Sequence, residues 1–411
     1  MLGLAAPILR TPLIAVVLAA AQEPSPQFSW TNLHHESLRP DYLAEIMPED
    51  PTAIRLPPPP PGETPAVVRG VYMNGWTFGS SRFHSLIALA DTTEINAFVI
   101  DVKDGTGHLT YRSSVPTAVA IGANQRVRAA DVRERLSLLR EHGIHPIARI
   151  VVAKDPLLAK HKPQWAIQDV DGGLWLDRFS TAWVDAFRDS VWLYAADIAA
   201  EAVLLGFREV QFDYVRFPDE PAESLARASY PARKGRESKR TGIRRNLELL
   251  KTRINTLGVP YTLDVFGLTT SSTNDLGIGQ YWEDVVRVAD VVLPMVYPSH
   301  YYRGAYGLEW PNAEPYEVVR RALADGIRRA AAVEGGARIR PFLQSFSIRR
   351  VRYTAVEVRA EIDAVEDLGL TDWILWNASG RYPPGAFKRS HSPSLPKSPT
   401  RQPNPAGGQQ P

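Results

Sequence analysis

Eight short apolar runs, separated by helical patterns, constrain this chain more than any other feature. The runs are VVRGVYM (67–73), NAFVIDVK (96–103), HPIARIVV (145–152), REVQFDYV (208–215), PYTLDVF (260–266), DVVLPMVY (290–297), RIRPFLQSF (338–346) and DWILWN (372–377). Each has the length and β-branched content of a strand. Helical patterns fill 80–94, 130–142, 181–205, 241–257, 281–288, 315–334 and 354–369. Gly143, Gly206, Gly258 and Gly369 stand between a helical pattern and the next run, where a helix C-cap is expected. Strand–helix alternation implies parallel pairing through crossovers. Eight such units close most simply into a (β/α)8 TIM barrel. The rival is an open doubly wound sheet, but no glycine-rich phosphate loop follows the first run.

The flanks read differently. Leu13 to Ala21 is apolar but short for a bilayer span, with Arg10 before it and small residues Ala19 to Ala21 at its end. That pattern predicts a signal peptide over 1–21, with an uncleaved anchor as the alternative. Residues 22–64 include LPPPPPGETP and read as a Pro-rich linker. Residues 387–411 are rich in Pro, Ser, Gly and Gln and read as a disordered tail. The barrel is expected over 65–386. The absence of Cys removes disulfides, a thiol nucleophile and a zinc–thiolate site, and suits export to a periplasmic or extracellular space. A net charge of +2 offers no basic block for nucleic acid. We expect a monomer with no membrane span once the leader is gone.

In a TIM barrel, chemistry sits at the C-terminal ends of the strands, and alternate strand residues point inward. Those ends carry Asp101 and Lys103 on strand 2, Arg149 on strand 3, Gln211 and Asp213 on strand 4, and Asp264 on strand 5. Strand 6 ends in Met295 and Tyr297, strand 7 offers Gln344, and strand 8 offers Trp376 and Asn377. A carboxylate inside an apolar strand must be paired or used. Asp213 has two structural outlets, Arg216 and Arg149. Asp101 and Lys103 share a face, so they either pair with each other or reach a substrate.

Adjacent strands lie about 4.8 Å apart, so carboxylates on neighbouring strands could reach one substrate atom from two sides, which suits glycosidic-bond cleavage. One must carry or offset charge at the anomeric carbon and the other must donate a proton. Trp376, Trp76, Tyr297 and Tyr301 would supply flat faces for sugar rings. Arg216 joins Asp101, Lys103, Arg149, Gln211, Gln344 and Asn377 as a candidate substrate contact. The loop 298–312 reads as substrate-facing, and the basic loop 231–240 as solvated surface. No cofactor is called for: there is no H-x-H on strand 1, no metal-ligand cluster and no G-x-S-x-G elbow.

RGVYMNGW, FVIDVKDGTGHLTY, ARIVVAKDP, VQFDYVRFP, LDVFGLTT, GIGQYWEDV, PMVYPSHY and WILWNASGRY span the folded region in order. Together they resemble a family of bacterial domains, first catalogued without a function and then grouped with glycoside hydrolases. FDYVRFP is similar to the FDDY strand-4 ending of related barrels. MVYP on strand 6 and a Trp on strand 8 are similar to family 18 chitinases. Those chitinases place a Glu after the strand-4 acidic run, where this chain has Val215 and Arg216. The resemblance implies a carbohydrate-cleaving barrel. We prefer Asp213 as nucleophile or transition-state stabiliser and Asp264 as acid/base, and the reverse assignment stays open. The expected activity is hydrolysis of a polysaccharide, with a non-catalytic carbohydrate-binding barrel of the cell envelope as the alternative.

Overall fold

The computed structural model describes residues 64–348 and 351–389. The expectations for 1–21, for most of the linker and for most of the tail lie outside the described residues. Among the described residues, eight strands pair in parallel: β1 Arg69–Met73, β2 Ala97–Lys103, β3 His145–Val151, β4 Glu209–Asp213, β5 Tyr261–Phe266, β6 Val291–Met295, β7 Phe342–Gln344 and β8 Trp373–Trp376. Closure runs through β6–β7, where Met295 faces Phe342, then through β7–β8 and β8–β1, where Gly70 faces Ile374. A two-residue piece, Arg338–Ile339, extends β7 downward beside Val291 and Val292. The order is that of a (β/α)8 barrel.

Among the described residues, seven helices of seven or more residues cover the strands: α1 Arg82–Thr92, α2 Val132–Glu141, α3 Asp189–Leu205, α4 Lys239–Ile254, α5 Trp282–Val288, α6 Pro315–Ala330 and α7 Ala355–Glu366. Local chemistry fixes their ends. Ser238 caps α4 by accepting from Thr241 N at 3.0 Å, and Thr354 with Glu357 forms a capping box on α7. Gly206 and Gly258 take positive φ, 126° and 66°, between a helix and the next strand, a turn that disfavours a Cβ. Among the described residues after β8 there is no eighth helix of this length. Instead the chain descends through a short 3₁₀ turn, Pro384–Ala386, packs Phe387 on Trp373, and pairs Lys388 and Arg389 with the end of α1.

Strand alternation sorts the apolar residues into two cores. Outward residues such as Phe98, Ile100, Val210 and Phe212 pack under the helices. Inward residues Val68, Tyr72, Ala97, Val99, Ile147, Leu293, Phe342 and Ile374 fill the barrel. The barrel floor is ionic. Arg340 donates to Glu209 at 2.5 Å, His145 Nε2 lies 3.2 Å from Glu209, and Asp372 lies 3.6 Å from Arg340. Burial pushes the Glu209 carboxyl up, but Arg340 and His145 overcome it and hold it at about 2.

Candidate active site

At the opposite end of the barrel, Arg149 on β3 organises the polar residues. It donates through Nη1 to Asp101 on β2 at 2.5 Å and through Nη2 to Asp213 on β4, while its Nε lies 3.7 Å from Asp264 on β5. All four side chains are buried. Tyr72 on β1 donates its hydroxyl to the other oxygen of Asp101 at 2.6 Å. Gln211 donates to Asp264 Oδ2 at 2.9 Å, and Asp264 Oδ1 has no hydrogen-bond partner among the described residues. Strands 2 to 5 thus contribute three carboxyls and one guanidinium to a single buried network.

That network is short of positive charge, which decides where a proton resides. Burial pushes Asp264 well above the ordinary carboxylate range and the Asp213 charge adds to the effect, against Arg149 and the Gln211 amide. Burial raises Asp101 too, with Arg149 and Tyr72 opposing. Burial pulls Arg149 down, but Asp101 and Asp213 more than reverse it and hold the guanidinium above its ordinary value. Asp264 is therefore the carboxyl best suited to hold a proton near neutrality.

Asp213 ends its strand under backbone strain. Tyr214 adopts φ 54°, a left-handed conformation unusual for an aromatic residue. Such a residue costs about 1–3 kcal/mol and tends to cluster at functional sites. Here the turn lets the Tyr214 amide reach back to Asp213 Oδ1 at 2.5 Å. Asp213 thus takes one donor from Arg149 and one from its own successor.

Across the mouth stands an aromatic wall from the other strands. Tyr72 and Trp376 stack at 5.6 Å, Tyr297 lies 6.0 Å from Trp376, and Phe346 meets both. One half of the mouth is acidic and the other flat and apolar, the division needed to grip a sugar by its face and its hydroxyls.

The family described as "Putative glycosyl hydrolase domain" matches residues 70–382, from β1 to beyond β8. The chain belongs to this glycosyl hydrolase family. No curated protein matches it. Among solved structures, the glycoside hydrolase domain of PgaB (BpsB) from Bordetella bronchiseptica is 14% identical over 76% of this chain and 94% of that one, with a TM-score of 0.53. A hypothetical protein from Ruminiclostridium thermocellum is 36% identical over 51% of this chain and 98% of that one, with a TM-score of 0.42. The α-galactosidase TtGalA from Thermus thermophilus is 14% identical over 80% of this chain and 61% of that one, with a TM-score of 0.46. The likeness to the PgaB domain is one of fold.

Within this glycosyl hydrolase barrel, several residues chosen from sequence stand apart from the network. Lys103 does not pair with Asp101. A bulge between Asp101 and Lys103 breaks the alternation, so Lys103 turns outward to Asp155 at 2.8 Å and the Val151 carbonyl at 2.5 Å. Gln344 ties the β6–α6 loop by accepting from Ser299 N at 3.1 Å and donating to Asn312 at 3.2 Å. Asn377 braces the loop after β8 by donating to the Ser345 and Arg381 carbonyls. Tyr301 packs in the outer core. Trp76 is 68% exposed beyond β1, with the Arg128 guanidinium 4.6 Å from its ring. Tyr302 and Trp310 are exposed on the 298–312 loop. Arg216 lies beside the site, caged by rings and not bonded to Asp213.

Sequence reasoning missed Tyr72, although its inward parity with Val68 and Gly70 marks it as a strand-end residue. A cavity of about 320 Å³ lies elsewhere, lined by Arg112, Arg133 and Glu201 among others, and holds none of these strand-end residues. Among the described residues no helix is long and apolar enough to cross a membrane.

Proposed function

We propose that this chain is an exported glycoside hydrolase that cleaves a polysaccharide through Asp264 and Asp213. The observation that carries the reading is Asp264 Oδ1, a buried carboxyl oxygen without a partner beside a second carboxyl held by Arg149. Burial and the neighbouring charge favour a proton on Asp264, the state a general acid needs.

In this mechanism Asp264 gives its proton to the glycosidic oxygen as the bond from that oxygen to the anomeric carbon breaks. The bonding electron pair leaves with the oxygen, which departs as a hydroxyl. Asp213 faces the positive charge that grows on the anomeric carbon. Water then adds its oxygen to that carbon and returns a proton to Asp264. Arg149 and the Tyr214 amide hold Asp213 in orientation, and Tyr72, Tyr297 and Trp376 support the sugar face. The leader-like segment over 1–21 supports export.

One observation favours the rival reading, a carbohydrate-binding barrel without turnover: Arg149 already engages Asp213. Reducing-sugar release from envelope and exopolysaccharides separates the two. Turnover that Asp213→Asn and Asp264→Asn abolish without loss of binding supports the hydrolase. Binding without turnover, unchanged in both variants, overturns it.

A further inference from the structure

Arg216 is a buried cation that forms no ion pair among the described residues. Its guanidinium carbon lies 4.4 Å from the centre of the Phe266 ring, 4.9 Å from Tyr214 and 5.2 Å from Trp183. The side chain is 8% exposed. It donates one hydrogen bond, from Nη1 to the Phe217 carbonyl at 3.0 Å. Among the described residues no carboxylate comes within ion-pair distance, whereas Arg149 and Arg340, buried to a similar degree, are both paired. Glu220, the acidic side chain beyond it, is taken up by Arg178 at 2.9 Å.

The three rings offset part of the cost of burying this charge. The rings supply faces and no hydrogen-bond acceptor. Among the described residues the edge formed by Nε and Nη2 receives no protein partner, and neither nitrogen is sealed off from solvent without one. That edge is the one that binds a planar carboxylate through two parallel N–H bonds. Burial lowers the Arg216 pKa, with Tyr214 and the more distant Asp213, Asp219 and Glu220 opposing.

A second cation flanks the same rings. Lys154 Nζ lies 5.7 Å from Trp183 and 5.7 Å from Tyr214. Its nearest acid is Asp177, 3.7 Å away, whose oxygens already accept from the Phe179 and Thr181 amides and from Trp183 Nε1, each at 2.9 Å. The slot adjoins the carboxyl pair through the chain itself. Tyr214 follows Asp213, and Phe266 stands two residues after Asp264. A sugar bound over the pair would present a ring substituent to Arg216.

We propose that Arg216, with Lys154, forms an acid-recognising subsite that takes the carboxylate of a uronic-acid residue, so that the substrate is an anionic polysaccharide. The proposal rests on the hydrolase reading for the position of the sugar and not for its turnover.

The test is calorimetric binding of the full-length protein to trimers of galacturonate, glucuronate and mannuronate, each matched with its methyl ester. At least one acid trimer should bind about tenfold or more tightly than its ester, with a preference that fades as salt rises. Arg216→Gln should erase the preference, Arg216→Lys should retain part of it, and Lys154→Gln should weaken it about threefold. Lys154→Gln also serves if Arg216→Gln fails to fold. Equal binding of acid and ester, no binding of any acid trimer, or a preference unchanged in Arg216→Gln overturns the subsite. Acid-selective binding without turnover overturns the hydrolase reading alone. Turnover of a neutral glycan without acid preference overturns the subsite alone.

Discussion

Gln211 on β4 donates its amide to one oxygen of Asp264 on β5 at 2.9 Å, and the other oxygen of that carboxyl has no partner. The bond favours the ionised form and so works against the burial that holds the proton on Asp264. Gln211→Leu should raise the pKa of Asp264 further. Under the proposed mechanism Asp264 acts while protonated, so activity should fall as pH rises through its folded pKa. That alkaline limb should move to higher pH in Gln211→Leu, whereas Asp264→Asn should lose about 10²–10⁴-fold in rate. Carbon-13 titration of the Asp264 carboxyl, beside a pH–rate profile, checks both.

Arg149 faces three buried carboxyls, so its removal is a stability event before it is a catalytic one. Arg149→Met leaves Asp101, Asp213 and Asp264 without their cation and should cost about 3–5 kcal/mol at neutral pH. The folded pKa values of Asp101 and Asp264, already raised, then lie further above their unfolded values. Folding binds protons over that interval, so stability is regained as pH falls toward the unfolded carboxylate range. Urea unfolding at pH 7 and pH 5 should show the gap to the parent narrowing at the lower pH.

The floor of the barrel predicts the opposite pH trend. Glu209 is held at about 2 in the fold against 4.5 when free. A depressed pKa contributes stability that is present above pH 4.5 and is lost as pH falls toward 2. Glu209→Gln removes that contribution and leaves Arg340 buried without its main partner. It should cost about 3–5 kcal/mol at pH 7, and the difference from the parent should shrink between pH 4.5 and 2. Chemical unfolding across that range is the measurement.

Asp197 on α3 offers a stabilising change. Burial pushes its carboxyl up to about 6, with Arg253 opposing at 3.5 Å. A raised pKa favours the fold below the unfolded value and loses that advantage as pH rises through 6. Asp197→Asn should therefore raise the melting temperature at pH 7.5 relative to the parent and lose this advantage near pH 4. Thermal unfolding at the two pH values decides it.

Much of this architecture is legible in the residues because strand alternation is a local property. Gln211 and Asp213 point inward because Val210 and Phe212 pack outward, and the pattern says so before any contact is known. Lys103 escapes the same reasoning, since one extra residue at the bulge reverses its direction and leaves no mark in composition. Gln344 and Asn377 look like substrate contacts by position, yet their partners are loop atoms far away in sequence. Arg216 follows Asp213 by three residues, but its hydrogen bond goes to the Phe217 carbonyl, while Asp213 takes its donors from Arg149 and the Tyr214 amide. What stays hidden is whatever depends on a turn conformation or a distant partner.

The descent of the chain after β8 has a geometric consequence. It carries the polypeptide down the barrel wall, until the Lys388 carbonyl accepts from Glu94 N at 3.0 Å. At the other limit, Val68 N donates to Asp372 at 3.2 Å, just ahead of β8. Both connections to the barrel therefore leave from the floor, behind the carboxyl network. Coupling the protein to a bead or a surface through either one would leave the mouth facing outward, free to meet a polymer too large to diffuse.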